Sequence, residues 1–125
     1  MTENEISYQI RGAIFDVYNE LGPGLLESIY EAALVSELKM RGLRVESQIP
    51  LPIYYKGVKL PVDYRLDLLV EGKVIVELKS VHEMQDVFHL QLNTYLKISG
   101  LHLGILVNFN CDRITENIWR KVNKL

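Results

Sequence analysis

Cysteine is almost missing from this chain. Cys111 stands alone among 125 residues, which excludes an internal disulfide and with it the stapled secreted scaffold. The same scarcity fits a reducing compartment, so the expected location is cytoplasmic. Long apolar runs are missing too. Nothing approaches the roughly 20 residues of a membrane span, and Met1–Ile10 lacks the basic start and apolar core of a signal peptide. Histidine is sparse: His82, His89 and His102 show no metal-ligand spacing, and His82-Glu83 is not followed by the second histidine of a zinc-protease helix. An excess of positive charge is lacking as well. Fourteen Lys and Arg against sixteen Asp and Glu leave a net charge of −2. A protein that coats DNA by charge alone is basic, so a nucleic-acid reading has to rest on a local site. Repeats, linkers and low-complexity tracts are absent.

What remains is 48% hydrophobic and 24% charged, ordinary for a globular fold. The length predicts one domain over residues 1–125. Thr2-Glu3-Asn4-Glu5 fits a capping box, and Ile6, Ile10, Ala13, Ile14, Val17 and Leu21 follow at helical spacing, predicting a helix over 3–20. Gly22-Pro23-Gly24 ends it. A second helix is expected from near Leu25, carried by Leu26, Ile29, Tyr30, Ala33, Leu34 and Leu38, with Gly42 after its end. Short strands then follow: Arg44–Gln48, with Pro50 and Pro52 favouring a sheet edge or an irregular run, then Pro52–Tyr55 and Val58–Tyr64 around Lys56-Gly57, and Arg65–Val70 and Lys73–Lys79 around Glu71-Gly72. Gln85–Ser99 reads as helix, Leu103–Phe109 as a strand covered on both faces, and Ile114–Val122 as a last strand. The order implies an α/β domain with a mixed sheet.

The segment from Arg65 to Lys79 carries the chemistry. Strand side chains alternate between faces, so Leu66, Leu68 and Val70 are expected on one face and Arg65, Asp67 and Leu69 on the other. On the partner strand Val74, Val76 and Leu78 separate from Ile75, Glu77 and Lys79. Matching the apolar rows through a three-residue loop, Glu71-Gly72-Lys73, sets Asp67 opposite Glu77 and Arg65 opposite Lys79. Opposed like charges destabilise a sheet. Either one carboxyl keeps its proton or a divalent cation bridges the pair. Hard oxygen donors without thiolates or paired histidines point to Mg²⁺ or Mn²⁺. Two acids, a lysine and such a cation suit phosphodiester hydrolysis. The plain alternative is a solvated sheet face balanced by Arg65.

Asp67, nine intervening residues and then Glu77-Leu78-Lys79 resemble the core signature of the PD-(D/E)XK nuclease superfamily. Gly24-Leu25-Leu26-Glu27-Ser28-Ile29-Tyr30 is similar to the motif of the small bacterial GxxExxY proteins, and Gln91-Leu92-Asn93-Thr94-Tyr95 to the QxxxY helix of several branches. Together the three motifs run in the expected order across roughly residues 5–120. The resemblance implies a restriction-endonuclease-like α/β fold, a mixed sheet flanked by helices. It implies Asp67 and Glu77 as metal ligands with the Leu78 carbonyl as a third, Lys79 as the catalytic lysine, Glu27 as a supplementary acid, and Gln91 and Tyr95 on the substrate side. Two departures stand out: Leu66 precedes Asp67 where the signature has proline, and Phe88 occupies a position where relatives often carry histidine.

Other candidates have simpler accounts. Tyr30 falls on the apolar face of its helix with a hydroxyl that needs a polar neighbour, Cys111 has no catalytic partner nearby in sequence, and Trp119, Arg120, Lys121 and Lys124 read as a solvated terminus. The expected function is a divalent-metal-dependent nuclease acting on nucleic acid, DNA in preference to RNA. The alternative is a non-catalytic nucleic-acid- or protein-binding module on the same fold. Hydrolysis of a small phosphoester is a third reading. A homodimer would enlarge the binding surface, though the sequence does not disclose one; no membrane partner is expected.

Overall fold

The computed structural model describes residues 1–125. In chain order the elements are α1 (Glu3–Leu21), α2 (Glu27–Met40), β1 (Val45–Tyr55), β2 (Val58–Val70), β3 (Val74–Lys79), α3 (Asp86–Ser99), β4 (Leu103–Asn108), a 3₁₀ turn (Ile114–Glu116) and β5 (Ile118–Val122). The strands form one sheet in the order β1-β2-β3-β4-β5. All neighbours are antiparallel except β3 and β4, which run parallel. Parallel neighbours require a crossover, and α3 supplies it. No helix is long and apolar enough to cross a membrane.

The period-2 pattern of the central strands divides the core. Leu68, Val70, Val74, Val76, Leu78, Leu103, Ile105 and Val107 face α1 and α2, where Ile6, Ile10, Ile14, Tyr30, Leu34 and Leu38 meet them. Ile75 and Leu106 point the other way, toward Leu92, Tyr95 and Leu96 of α3. Burying each such side chain is worth roughly 1.5–3 kcal/mol, so β3 and β4, buried on both faces, anchor the fold. Gly104 lets α3 approach closely: a Cβ there would lie 2.8 Å from Leu92 Cδ1.

The capping box at the start of α1 forms as expected, with Glu5 N donating to Thr2 Oγ1 at 3.2 Å and Thr2 N to Glu5 Oε1 at 3.1 Å. Several boundaries differ from the expectation. The stretches Arg44–Gln48 and Pro52–Tyr55 belong to one strand, β1, and Val58–Tyr64 runs on into Arg65–Val70 as β2. Pro50 and Pro52 sit on β1, an edge strand of the sheet, where proline is tolerated. The second helix starts at Glu27 rather than Leu25, because Leu25 N is held by the Tyr30 hydroxyl at 3.2 Å in a loop. Residues 114–116 form a 3₁₀ turn ahead of β5, with Asn117 N donating back to Ile114 O.

Candidate active site

The β2–β3 hairpin has the expected register: Leu68 pairs with Val76, Leu69 with Ile75 and Val70 with Val74. Glu71 and Gly72 both adopt positive φ, 54° and 64°, and Lys73 N donates to Val70 O across them at 3.0 Å, as in a primed turn. Beyond Leu68–Val76 the regular ladder stops, and side chains replace it. Asp67 N donates to Glu77 Oε2 at 2.9 Å, and Leu78 N donates to Asp67 Oδ2, also at 2.9 Å. The two carboxylates therefore close the fork between the strands, each capping a backbone N–H.

Two expectations about faces need correction. Leu66 does not share a face with Leu68 and Val70; it packs with Leu51, Ile75 and Tyr95 under α3. The cause lies across the sheet. Gln48, which the register sets opposite Asp67, has φ 54°, and pairing is interrupted there between Ser47–Leu68 and Ile49–Leu66. A left-handed residue breaks the alternation that strict parity assumes. Arg65 does not pair with Lys79 either, since the strands have parted. Arg65 Nη1 donates to Gln48 O at 3.2 Å, and Lys79 aligns with Asn108 of β4.

Glu77 is the most unusual group in the chain. It is only 3% exposed, and its Oε1 is buried without a hydrogen-bond partner. Burial first, and then the neighbouring Asp67 charge, push its carboxyl up to about 9. A buried acid with one orphaned oxygen either keeps a proton or awaits a cation. Lys79 is half-buried at the end of β3, its Nζ 4.6 Å from the centroid of the Phe88 ring, a cation–π contact that holds the ammonium beside the acids.

Glu27 reaches the same region from the other side. It opens α2, and burial raises its carboxyl, opposed by the Lys79 charge and reinforced by Asp67. Its position is fixed by the loop before it. The Tyr30 hydroxyl donates to Gly22 O at 2.5 Å, its ring stacks on Phe109 at 4.5 Å, and Ser80 Oγ donates to Leu25 O at 2.6 Å. Tyr30 is thus a fully buried packing residue that anchors the glycine-rich turn, and Ser80 ties that turn to the end of β3.

On the α3 side Tyr95 is nearly buried and stacks on Tyr64, ring centroids 4.0 Å apart. Burial raises both hydroxyls, with Glu77 and Asp67 adding to the effect. Gln91 lies half-buried one turn earlier on the same helix. His89 points elsewhere, edge-on to Trp119 at 5.0 Å.

Sequence reasoning missed Tyr64, Glu31 and Gln48. Glu31 lies one turn after Glu27 and accepts a hydrogen bond from Gln48 Nε2 at 2.9 Å. Burial raises its carboxyl, and the Asp67 and Glu27 charges add to that. Its four-residue spacing from Glu27 was the available signal; nothing local marked Gln48.

No three Asp, Glu, His or Cys side chains converge into a complete metal cage. A hard, largely hydrated cation needs less: one or two carboxylates, with water or substrate oxygens completing the shell. Asp67, Glu77 and the orphaned Oε1 fit that demand. The site is also open. The largest cavity, about 530 Å³, lies beyond the carboxyl ends of β3 and β4, lined by Asn108, Asn110, Asn117 and Cys111 among others, and none of Glu27, Asp67, Glu77 or Lys79 borders it.

Comparison with known proteins bears on the family and the fold. No curated protein matches the chain in sequence. Among solved structures it is similar to the crystal structure of SSO0001, with TM-score 0.58 and 26% identity over 78% of this chain. The match covers 50% of that protein, so this chain spans about half its length. The family model of the PD-(D/E)XK nuclease superfamily matches residues 4–122, nearly the whole sequence. With its mixed five-stranded sheet between helices, this chain belongs to the PD-(D/E)XK nuclease superfamily.

Proposed function

We propose that the protein is a divalent-metal-dependent nuclease hydrolysing phosphodiester bonds of nucleic acid, DNA in preference to RNA. The observation that carries this reading is the fork: Asp67 and Glu77 against one another, with a buried, unpartnered Glu77 oxygen and Lys79 beside them. Asp67 and Glu77 would hold Mg²⁺ or Mn²⁺, with the Leu78 carbonyl as a further donor. When bound, such a cation lowers the pKa of its water and takes up charge on the phosphate.

The chain's own residues do the rest. Lys79, steadied by Phe88, orients the attacking water or offsets charge on the phosphate oxygens. Glu27, at the start of α2 behind a loop anchored by Tyr30 and Ser80, adds an acid on the opposite wall and tunes the local charge. Gln91 and Tyr95 line the substrate side, with Tyr64 steadying Tyr95. A polymer is favoured over a small phosphoester, because small ligands are usually enclosed on most of their surface and none of these acids lines the 530 Å³ cavity.

The test uses Asp67→Asn and Lys79→Ala, since an amide can still accept the Leu78 N–H bond. Metal-dependent cleavage of a mixed DNA and RNA panel should be lost in both variants. Calorimetric Mn²⁺ binding should be lost only in the first. Cleavage retained in both would end the nuclease reading. Metal binding by the wild type without cleavage of any polynucleotide would favour the binding module.

A further inference from the structure

The far end of the β1–β2 hairpin is not used by the site just described. β2 pairs with β3 only over Leu68–Val70, so Val58–Asp67 has β1 as its one strand neighbour. The base of this ribbon is packed under α3 through Leu51, Tyr64 and Leu66. Past Pro52–Asp63 it projects free. Its tip exposes large groups: Tyr54 is 63% exposed, Tyr55 62%, Val58 64% and Val62 65%. A two-stranded ribbon is marginal in water by itself, so such a surface needs a purpose.

Three features say what covers it. Lys56 lies in the turn and Lys59 just after it, with Arg65 farther down and Asp63 the one acid along residues 54–65. On a chain of net charge −2 this is a locally cationic, aromatic element. Lys59 lies directly opposite Tyr54 and so shares its face, while Lys56 Nζ sits 5.5 Å from the centroid of the Tyr55 ring. Edge pairing with a second copy is obstructed. Leu60-Pro61-Val62 bulge opposite Ile53, where the register shifts between Pro52 and Tyr54, and Pro50 and Pro52 break the donor row of β1. Prolines and bulges are devices that keep strand edges from pairing. Contact through side chains to a polyanion remains.

We propose that residues 53–63 form a duplex-DNA arm, a β-ribbon that enters the major groove while Lys56 and Lys59 meet the flanking phosphates. A two-stranded ribbon fits a major groove about 12 Å wide. Lys59 to Asp67 is eight residue steps, a reach of at most about 27 Å because the bulge shortens it, which lies within the roughly 34 Å of one helical turn. The arm and the carboxylate fork therefore engage one turn of one duplex. This rests on the nuclease reading and adds to it the form of substrate and how it is held.

The experiment measures anisotropy of a short labelled DNA duplex at several salt concentrations in EDTA, which prevents cleavage. The variants are Lys56→Gln/Lys59→Gln, Tyr54→Ser/Tyr55→Ser and, as a control away from the arm, Lys39→Gln. Removing two phosphate contacts should weaken binding roughly tenfold and reduce the slope of log affinity against log salt by about 1.8. The tyrosine variant should weaken binding with the slope unchanged, and the control should match the wild type. Wild-type binding with both arm variants unaltered would overturn the arm and leave the nuclease reading standing. No wild-type binding to any nucleic acid in EDTA, together with no cleavage of the same probes when Mn²⁺ replaces the EDTA, would overturn the nuclease reading itself. Equal arm-dependent losses on duplex RNA, whose major groove is too narrow to read, would overturn groove entry.

Discussion

Glu77→Gln offers a sharp test because the amide keeps the shape of the protonated acid while removing its titration. The buried Glu77 carboxyl holds its proton up to about 9, against an ordinary value of 4.5. Between those values the folded chain binds a proton that the unfolded chain releases. Stability then falls as pH rises, by at most about 1.4 kcal/mol per unit. Full stability is present below 4.5 and the loss is complete above about 9. From pH 4.5 to 7 the loss reaches at most about 3 kcal/mol. Urea unfolding in EDTA at a series of pH values between these limits reads it directly. The wild type should weaken steadily with pH, whereas Glu77→Gln should show a flatter profile and become the more stable protein near neutrality. Adding Mn²⁺ should restore the wild type and leave the variant unchanged, since a cation favours the ionised pair. Parallel pH profiles for the two proteins would show that Glu77 ionises normally, and the metal-poised fork would have to be abandoned.

Gly104→Ala should cost about 1–3 kcal/mol by overpacking, because the new methyl meets Leu92 at 2.8 Å; an unchanged melting temperature would mean that α3 shifts freely. Gln48→Gly should be more stable than Gln48→Ala by about 1 kcal/mol, since both lose the bond to Glu31 but only glycine relieves the positive φ; equal urea midpoints would remove the strain from the account.

Much of this architecture is legible in the sequence because its signals are local and repeated. The Thr2–Glu5 box, the helical spacing through Val17 and the unbroken apolar run of β4 each state their element directly. Parity across the three-residue loop was enough to place Asp67 against Glu77, since Leu68, Val70, Val74 and Val76 keep strict alternation. Parity failed one step farther, at Leu66, because Gln48 on a different strand turns left-handed. That is a tertiary property without a local sign. The same holds for Tyr64, whose place beside Tyr95 depends on how α3 crosses the sheet. Glu27 lay in a motif and Glu31 follows it at helical spacing, whereas Gln48 is brought to Glu31 only once β1 folds back.

The way the β2–β3 fork closes has an evolutionary consequence. Asp67 and Glu77 supply the acceptors for two strand N–H donors where the β2–β3 ladder has ended. A mutation to a residue without an acceptor strands a buried N–H, at roughly 1–3 kcal/mol, out of a total margin of about 5–15 kcal/mol. Drift that discards either acid therefore weakens the scaffold along with the chemistry. Amides are the gentle escape, and a descendant that has retired from catalysis is expected to carry Asn or Gln at these two positions before it carries anything else.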